Sequence, residues 1–260
     1  MRVFKRNQEN QKVDKCTLKE VLNFLKVTSE IECDTETWGF DCHTGDILCI
    51  QFGNQYNQYL IEWKDELIKI LSPVFIDKSK TFLFQNAKFD LQFLYKKGII
   101  VSNIYDTLLV EINLTNGLQF GGRGLADLVK KYVEKHMSKE VRDTIVRVGL
   151  TEAVIDYALD DVKYLSIIKE KQLQKARELS LEKTIQIDNN FVKVLAYTEF
   201  CGIGFDSKKW LEKCDSDEKK WKDKEAELNQ LIVDNPDLKK YTQYGGLFDP
   251  EGTIVCTVNW

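Results

Sequence analysis

The sequence predicts an α/β fold, a mixed sheet flanked by helices and followed by a helical C-terminal segment. Short runs of β-branched and aromatic residues crowd its first part, and apolar residues recur at helical spacing through the remainder. Three prolines and no low-complexity tract leave the pattern nearly uninterrupted. With 43% apolar and 30% charged residues, a chain of 260 can bury at least one full core.

Thr17 to Leu25 (TLKEVLNFL) opens the series as an amphipathic helix, with threonine as cap and glutamate three residues later. Ile31 to Glu36, Ile47 to Phe52 and Gln58 to Ile61 follow as strands separated by Gly- and Asn-containing turns, an antiparallel meander. Trp63 to Leu71 returns to helical spacing. Thr81 to Gln85 reads as a buried strand running into Asn86, a favourable N-cap for a helix over Ala87 to Lys97 that Gly98 ends. After a short extended piece at Ile104 and Tyr105, helical segments are predicted near Thr107 to Asn113, Gly124 to Tyr132 and Thr151 to Leu179. A meander followed by α/β crossovers on a mixed sheet is the order of a ribonuclease H-like fold.

Composition excludes several classes. The N-terminal MRVFKRNQENQKVDK has no apolar core segment, and no apolar stretch reaches membrane-spanning length, so neither export nor membrane anchoring is expected and the cytoplasm is the expected compartment. Cys16, Cys33, Cys42, Cys49, Cys201, Cys214 and Cys256 form no CxxC pair, which argues against a zinc site or disulfide framework. A formal charge of −4 argues against a protein coating duplex DNA, and leaves open a cleft that grips one strand end.

Candidate chemistry begins at Cys33-Asp34-Thr35-Glu36, where strand alternation sends Asp34 and Glu36 to one face. Glu32 continues that alternation and is a possible decoy, because acidic-x-acidic triplets are common among 41 acidic residues. In Asn86-Ala87-Lys88-Phe89-Asp90, Asp90 falls in the first helical turn, where an acid already suits the helix dipole without any catalytic duty. In Tyr157-Ala158-Leu159-Asp160-Asp161, four-residue spacing brings Tyr157 and Asp161 to one helix face, as in many helices. Each element alone is weak; their ordered combination is specific.

In that combination the sequence resembles the DEDD 3′→5′ exonucleases, over roughly residues 15 to 178. The resemblance implies that Asp34, Glu36 and Asp161 ligate one divalent metal, that Asp34 reaches a second, and that Asp90 holds the second directly or through water. Clustered carboxylates repel one another, so the grouping makes physical sense with Mg²⁺ or Mn²⁺ as compensating cations. Where another branch of the family places a histidine, five residues before the last aspartate, this chain has Asp156, so the tyrosine branch is implied, with Tyr157 orienting the water. Tyr105-Asp106-Thr107 resembles the turn after the second motif, with Asp106 a cap or supporting group, and Gly124 to Leu128 the helix over the substrate strand. Lys139 to Leu150 resembles the stretch before the third motif, without its frequent tryptophan. Lys130, Lys131, Lys135, Lys139, Arg142 and Arg147 either hold strand phosphates or form a solvated face balanced by Glu134, Glu140 and Asp143.

Phe191 to Asp206 resembles the entry into the polymerase region of family A DNA polymerases, and Lys208 to Val233 reads as a long charged helix, thumb-like. Two regions are thus expected, an exonuclease over 1–180 and an incomplete polymerase start over 181–260, ending at Thr257 to Trp260 without a palm or polymerase activity. The implied substrate is a single-stranded DNA 3′ end, with RNA possible, and a polymerase domain is expected downstream. The alternatives are a stand-alone ribonuclease D-like RNA exonuclease and an inactive exonuclease-fold module for binding or scaffolding.

Overall fold

The meander is the middle of the sheet, because its strands carry enough apolar residues to cover both faces. In the computed structural model, which describes residues 1–115, 118, 121–137 and 149–237, β3 (Glu30–Trp38), β4 (Asp46–Gly53) and β5 (Gln58–Glu62) pair antiparallel, with Asp34 opposite Gln51 and Glu36 opposite Cys49. β6 (Thr81–Phe84) joins β3 in parallel and β7 (Ile104–Asp106) joins β6 likewise. Parallel neighbours need crossovers, and α2 (Glu66–Phe75) and α3 (Ala87–Lys96) supply them. Among the described residues the sheet has seven strands, in the order β2-β1-β5-β4-β3-β6-β7. This is the mixed ribonuclease H-like sheet predicted, enlarged at one edge.

The enlargement was not legible in the sequence. Val3–Arg6 and Val13–Lys15 form a hairpin, β1 and β2, that extends the sheet beyond β5, with Phe4 opposite Leu60. A strand of four residues reading VFKR has no alternation to recognise. Val3 and Phe4 are nevertheless buried, and so is Arg6.

α1 (Leu18–Val27) starts as expected, with Thr17 and Glu20 closing a reciprocal capping box and Val21, Phe24 and Leu25 buried on one stripe. α2 begins later than its periodicity implied, because Trp63 turns into the core and donates its indole N–H to Asp65. Asn86 occupies the N-cap position of α3 but makes no side-chain cap; it is left-handed at φ 70° and ψ 52°. The amides of Asn86 and Ala87 are taken instead by Asp106. The core lies between α1, α2 and α3 and the sheet, around Phe52, Phe75, Phe82, Phe84 and Phe93.

The long helix expected over Thr151 to Leu179 is two helices, α6 (Glu152–Asp161) and α7 (Leu165–Glu178). The break is imposed from outside, by a strand carboxylate described below. α4 (Thr107–Leu114) and α5 (Leu125–Val133) pack with α7, and α8 (Glu182–Cys201) packs on α3. The chain divides into compact units at Gly202 and Ile203, so α8, placed by the sequence reading beyond residue 180, sits within the first. The second begins with α9 (Ser207–Asp234), where Trp210, Leu211, Trp221, Leu228 and Leu231 are exposed. Lys139 to Val148, Thr257 to Trp260 and Cys256 lie outside the described residues. Among the described residues no helix is long and apolar enough to cross a membrane.

Glu111 fastens the α4–α5–α7 layer. Its buried carboxylate accepts from Lys131, from Tyr132 Oη at 2.7 Å and from Gln172 Nε2 at 3.1 Å. Burial pushes the carboxyl up, but these bonds outweigh burial and hold it below the ordinary glutamate value of 4.5. A carboxylate lowered in the folded state contributes stability above its unfolded pKa and loses it as the pH falls through the folded one. The stability advantage of the wild-type chain over Glu111→Gln should therefore be full at neutral pH and shrink below about pH 4.5. Urea denaturation of both chains across that range measures it, and a constant difference would contradict the assignment.

Candidate metal-dependent active site

The site grows from the alternation of β3. Glu32, Asp34 and Glu36 leave one face of the strand, and a bulge between Glu36 and Thr37 ends the regular register immediately after the last of them. The three acids meet different surroundings. Asp34 and Glu36 are partly exposed, whereas Glu32 is fully buried.

α6 brings the third carboxylate. Thr151 caps it by accepting from the Val154 amide, and Val154, Ile155, Ala158 and Leu159 are buried. Ile155, Ala158 and Leu159 pack with Phe4, Cys49 and Leu60, which leaves Tyr157 and Asp161 together on the neighbouring face, half-buried. One carboxylate oxygen from each of Asp34, Glu36 and Asp161 lies within 4.8 Å of the others. All are hard oxygen donors, the chemistry that Mg²⁺ and Mn²⁺ take.

Asp90 lies beside this group and outside it. β6 accompanies β3 only as far as the pair Glu32 and Leu83. Beyond that point α3 closes the strand edge, and Asp90 Oδ1 accepts from the Thr35 amide at 3.0 Å and from Thr35 Oγ1 at 2.6 Å. Burial and then the charge of Asp34 push the Asp90 carboxyl well up. The same field acts on Cys33 and Cys49, whose thiols are raised well above their ordinary value by burial and by the neighbouring carboxylates. Thiols held protonated in strands are packing groups, and no nucleophile is built from them.

Glu32 is a fastener. Its carboxylate accepts from the amides of Leu165 and Ser166, each at 2.9 Å, and from Ser166 Oγ at 2.6 Å. Those are orphan donors at the start of α7, so the strand that carries Asp34 also ends the turn that follows Asp161. Gly53 completes the seat. A Cβ there would overlap the Val162 carbonyl oxygen and lie 3.0 Å from the Asn57 carbonyl oxygen. Gly53→Ala should push the end of α6 off the sheet, costing about 1–3 kcal/mol in urea denaturation. It should also lower activity on the order of tenfold to a hundredfold in a single-turnover assay. Wild-type values for both would show that the close approach is immaterial.

Asp106 holds two helix starts at once. Its carboxylate accepts from Asn86 and Ala87, at 3.0 and 2.9 Å, and from Leu108 and Leu109, at 3.0 and 3.4 Å. The expectation that it acts as a cap or supporting group holds on both sides. α5 is capped by Asp127, which accepts from the Gly124 amide. Of the basic residues beside the site, Lys131 is paired with Glu111 and Lys135 lies 5.6 Å over the Tyr164 ring, while Lys139, Arg142 and Arg147 fall outside the described residues. His43 and His136 are exposed, and His43 stacks on Phe200.

Sequence reasoning did not find Arg6, Thr35 or Gly53. Gly53 carried a usable signal, since a glycine at the end of an apolar strand marks a close backbone approach.

Residues 11–177 match a family model described as 3′-5′ exonuclease. DNA polymerase I of Aquifex aeolicus (strain VF5) is 27% identical over 169 residues, a match covering 64% of this chain and 27% of that protein. The chain thus corresponds to about a quarter of that relative's length. Among solved structures, NrnC of Brucella melitensis superposes with a TM-score of 0.59 at 21% identity, covering 68% of this chain and 87% of that one. Escherichia coli RNase D, described as an exoribonuclease involved in structured RNA processing, superposes at 0.59 with 19% identity, covering 69% and 48%. These likenesses share the sheet and its flanking helices.

Proposed function

This chain belongs to the 3′-5′ exonuclease family, and on that premise we propose that it removes nucleoside monophosphates from the 3′ end of single-stranded DNA, as the proofreading module of a family A polymerase. The observation that carries the reading is the approach of Asp34, Glu36 and Asp161 to within 4.8 Å, from a strand and a helix far apart in the chain. They would hold one divalent ion, Mg²⁺ or Mn²⁺, with Asp34 and Asp90 toward a second. Such ions supply a water acidic enough to attack at neutral pH and neutralise charge on the phosphate and the leaving oxygen.

The chain's own residues do the rest. Asp34 and Glu36 fix one side of the site on a paired strand, and Asp161 closes it from α6. Tyr157, one turn before Asp161, orients the attacking water through its hydroxyl; a phenol with a pKa near 10 is a poor base at neutral pH. Thr35 holds the Asp90 carboxyl by one oxygen, Oδ1, beside the site. The DNA reading is supported by the likeness to a DNA polymerase I, and a polymerase region is the partner expected downstream.

A second reading, a ribonuclease D-like RNA exonuclease, is supported by the structural likeness to RNase D. The chemistry is common to both, so substrate competition separates them. The test incubates the full chain with 5′-labelled single-stranded DNA and RNA of matched sequence, with Mg²⁺, with Mn²⁺ and with chelator. Stepwise metal-dependent shortening from the 3′ end, faster on DNA, is expected. Preference for RNA would replace the first reading by the second, and a folded chain that cleaves neither would leave a binding or scaffolding module.

A further inference from the structure

We propose that Arg6 is a positioning residue for the acidic site, pinning α6 so that Tyr157 and Asp161 are held against the carboxylates of β3. It ends β1, before the first residue that the family model matches. Only 5% of its side chain is exposed. One guanidinium nitrogen, Nη1, donates to Asp156 Oδ1 at 2.7 Å and to the Gln11 carbonyl oxygen at 3.0 Å. The other, Nη2, donates to the Asp156 carbonyl oxygen at 2.7 Å and lies 3.1 Å from Asp160 Oδ1.

Each acceptor on α6 immediately precedes a site residue. Asp156 stands before Tyr157, and Asp160 before Asp161. Because one bond goes to a main-chain carbonyl, the pin holds the helix backbone and not only its side chains. Phe4, two residues earlier on the same face of β1, packs on Ile155, Ala158 and Leu159. β1 thus gives α6 an apolar seat and an ionic pin. Lys163 reinforces the joint, donating to Gln11 Oε1 at 3.0 Å and lying 4.0 Å from Asp160 Oδ1.

Stability alone is a poor account of this arrangement. An ion pair whose acids are exposed contributes little, and the Asp156 and Asp160 side chains are 56% and 39% exposed, while Arg6 Nε is buried without a partner. What a planar fork with fixed donor directions supplies is register. β1, which precedes the residues matched by the family model, then sets how closely Asp161 approaches Asp34 and Glu36.

The test compares the full-length wild type, Arg6→Met and Arg6→Lys. It reads Mn²⁺ binding by calorimetry, hydrogen exchange of the α6 amides in metal-free protein, and strand shortening; only the last rests on the exonuclease reading. In Arg6→Met, Mn²⁺ affinity should fall about tenfold or more, α6 should exchange faster while α3 does not, and cleavage should fall about a hundredfold. Arg6→Lys, which keeps the charge and loses the fork, should lie between. A merely structural role would lower the folded fraction and leave the folded molecules binding Mn²⁺ as before; that result in Arg6→Met overturns the proposal. Should Arg6→Met not fold, wild-type affinity and wild-type α6 exchange in Arg6→Lys overturn it. A wild type that binds Mn²⁺, weakens on substitution and cleaves nothing upholds the pin and removes the exonuclease reading. A wild type that binds no Mn²⁺ removes both.

Discussion

Asp34→Ala and Asp161→Ala should each abolish strand shortening while leaving the chain folded. Three carboxylate oxygens from β3 and α6 lie within 4.8 Å of one another, so each side chain supplies roughly a third of the negative charge there. Removing one takes a ligand from the expected metal and misplaces the water it would activate. Loss of a group that stabilises transition-state charge commonly costs about 10²–10³ in rate, and a ligand shared by binding and catalysis should cost at least that. Stability should move the other way. Like charges in one site oppose folding, and deleting one relieves that repulsion, so urea midpoints should stay level or rise. Paired measurements of rate and urea midpoint check both halves. Two folded variants that still shorten DNA at the wild-type rate would show that the chemistry lies elsewhere.

Asp106→Ala should be the most destabilising single change near the site, by about 3–5 kcal/mol if two or three of its four amide partners are left buried and unsatisfied. That is a large part of the 5–15 kcal/mol by which ordinary domains are stable. The carboxylate is 3% exposed and accepts from the first amides of both α3 and α4, so water has little access to replace it. Burial pushes the Asp106 carboxyl up, against the pull of those amide bonds. Asp106→Asn removes the charge and keeps one oxygen acceptor, so it should lose less than Asp106→Ala. Urea denaturation of the two variants reads the order; a loss below about 1 kcal/mol in Asp106→Ala would mean that neighbouring groups or water recapture the amides. Since α3 carries Asp90, activity should fall with the same substitution even in the folded fraction.

What the sequence disclosed was whatever depends on short separations. Asp34 and Glu36 share a face because strand side chains alternate, and Tyr157 and Asp161 share one because a helix turns in 3.6 residues; neither fact needs the rest of the chain. The meander and the capping box at Thr17 were legible for the same reason. The hidden part is long-range. Glu32 meets Ser166 across 134 positions and Arg6 meets Asp156 across 150, and no local pattern announces either contact. The break between α6 and α7 follows from the first of these, since DVKYLSIIKE alone continues a helical pattern. Asn86 makes no side-chain cap because it is held in the left-handed region, where the Phe89 amide goes to its backbone carbonyl oxygen, an effect of tertiary placement that no local pattern announces.

The hairpin at the N-terminus also bears on the order in which the molecule acquires its shape. β1 must wait for β5 before it has a strand to lie beside, and Arg6 must wait longer, for a helix synthesised some 150 residues later. Closing loops of that length is entropically costly and slow relative to forming local helices and turns. The sheet and its covering helices can therefore condense while α6 is still free to slide, and the acidic site gains its final spacing only when β1 and α6, far apart along the chain, meet.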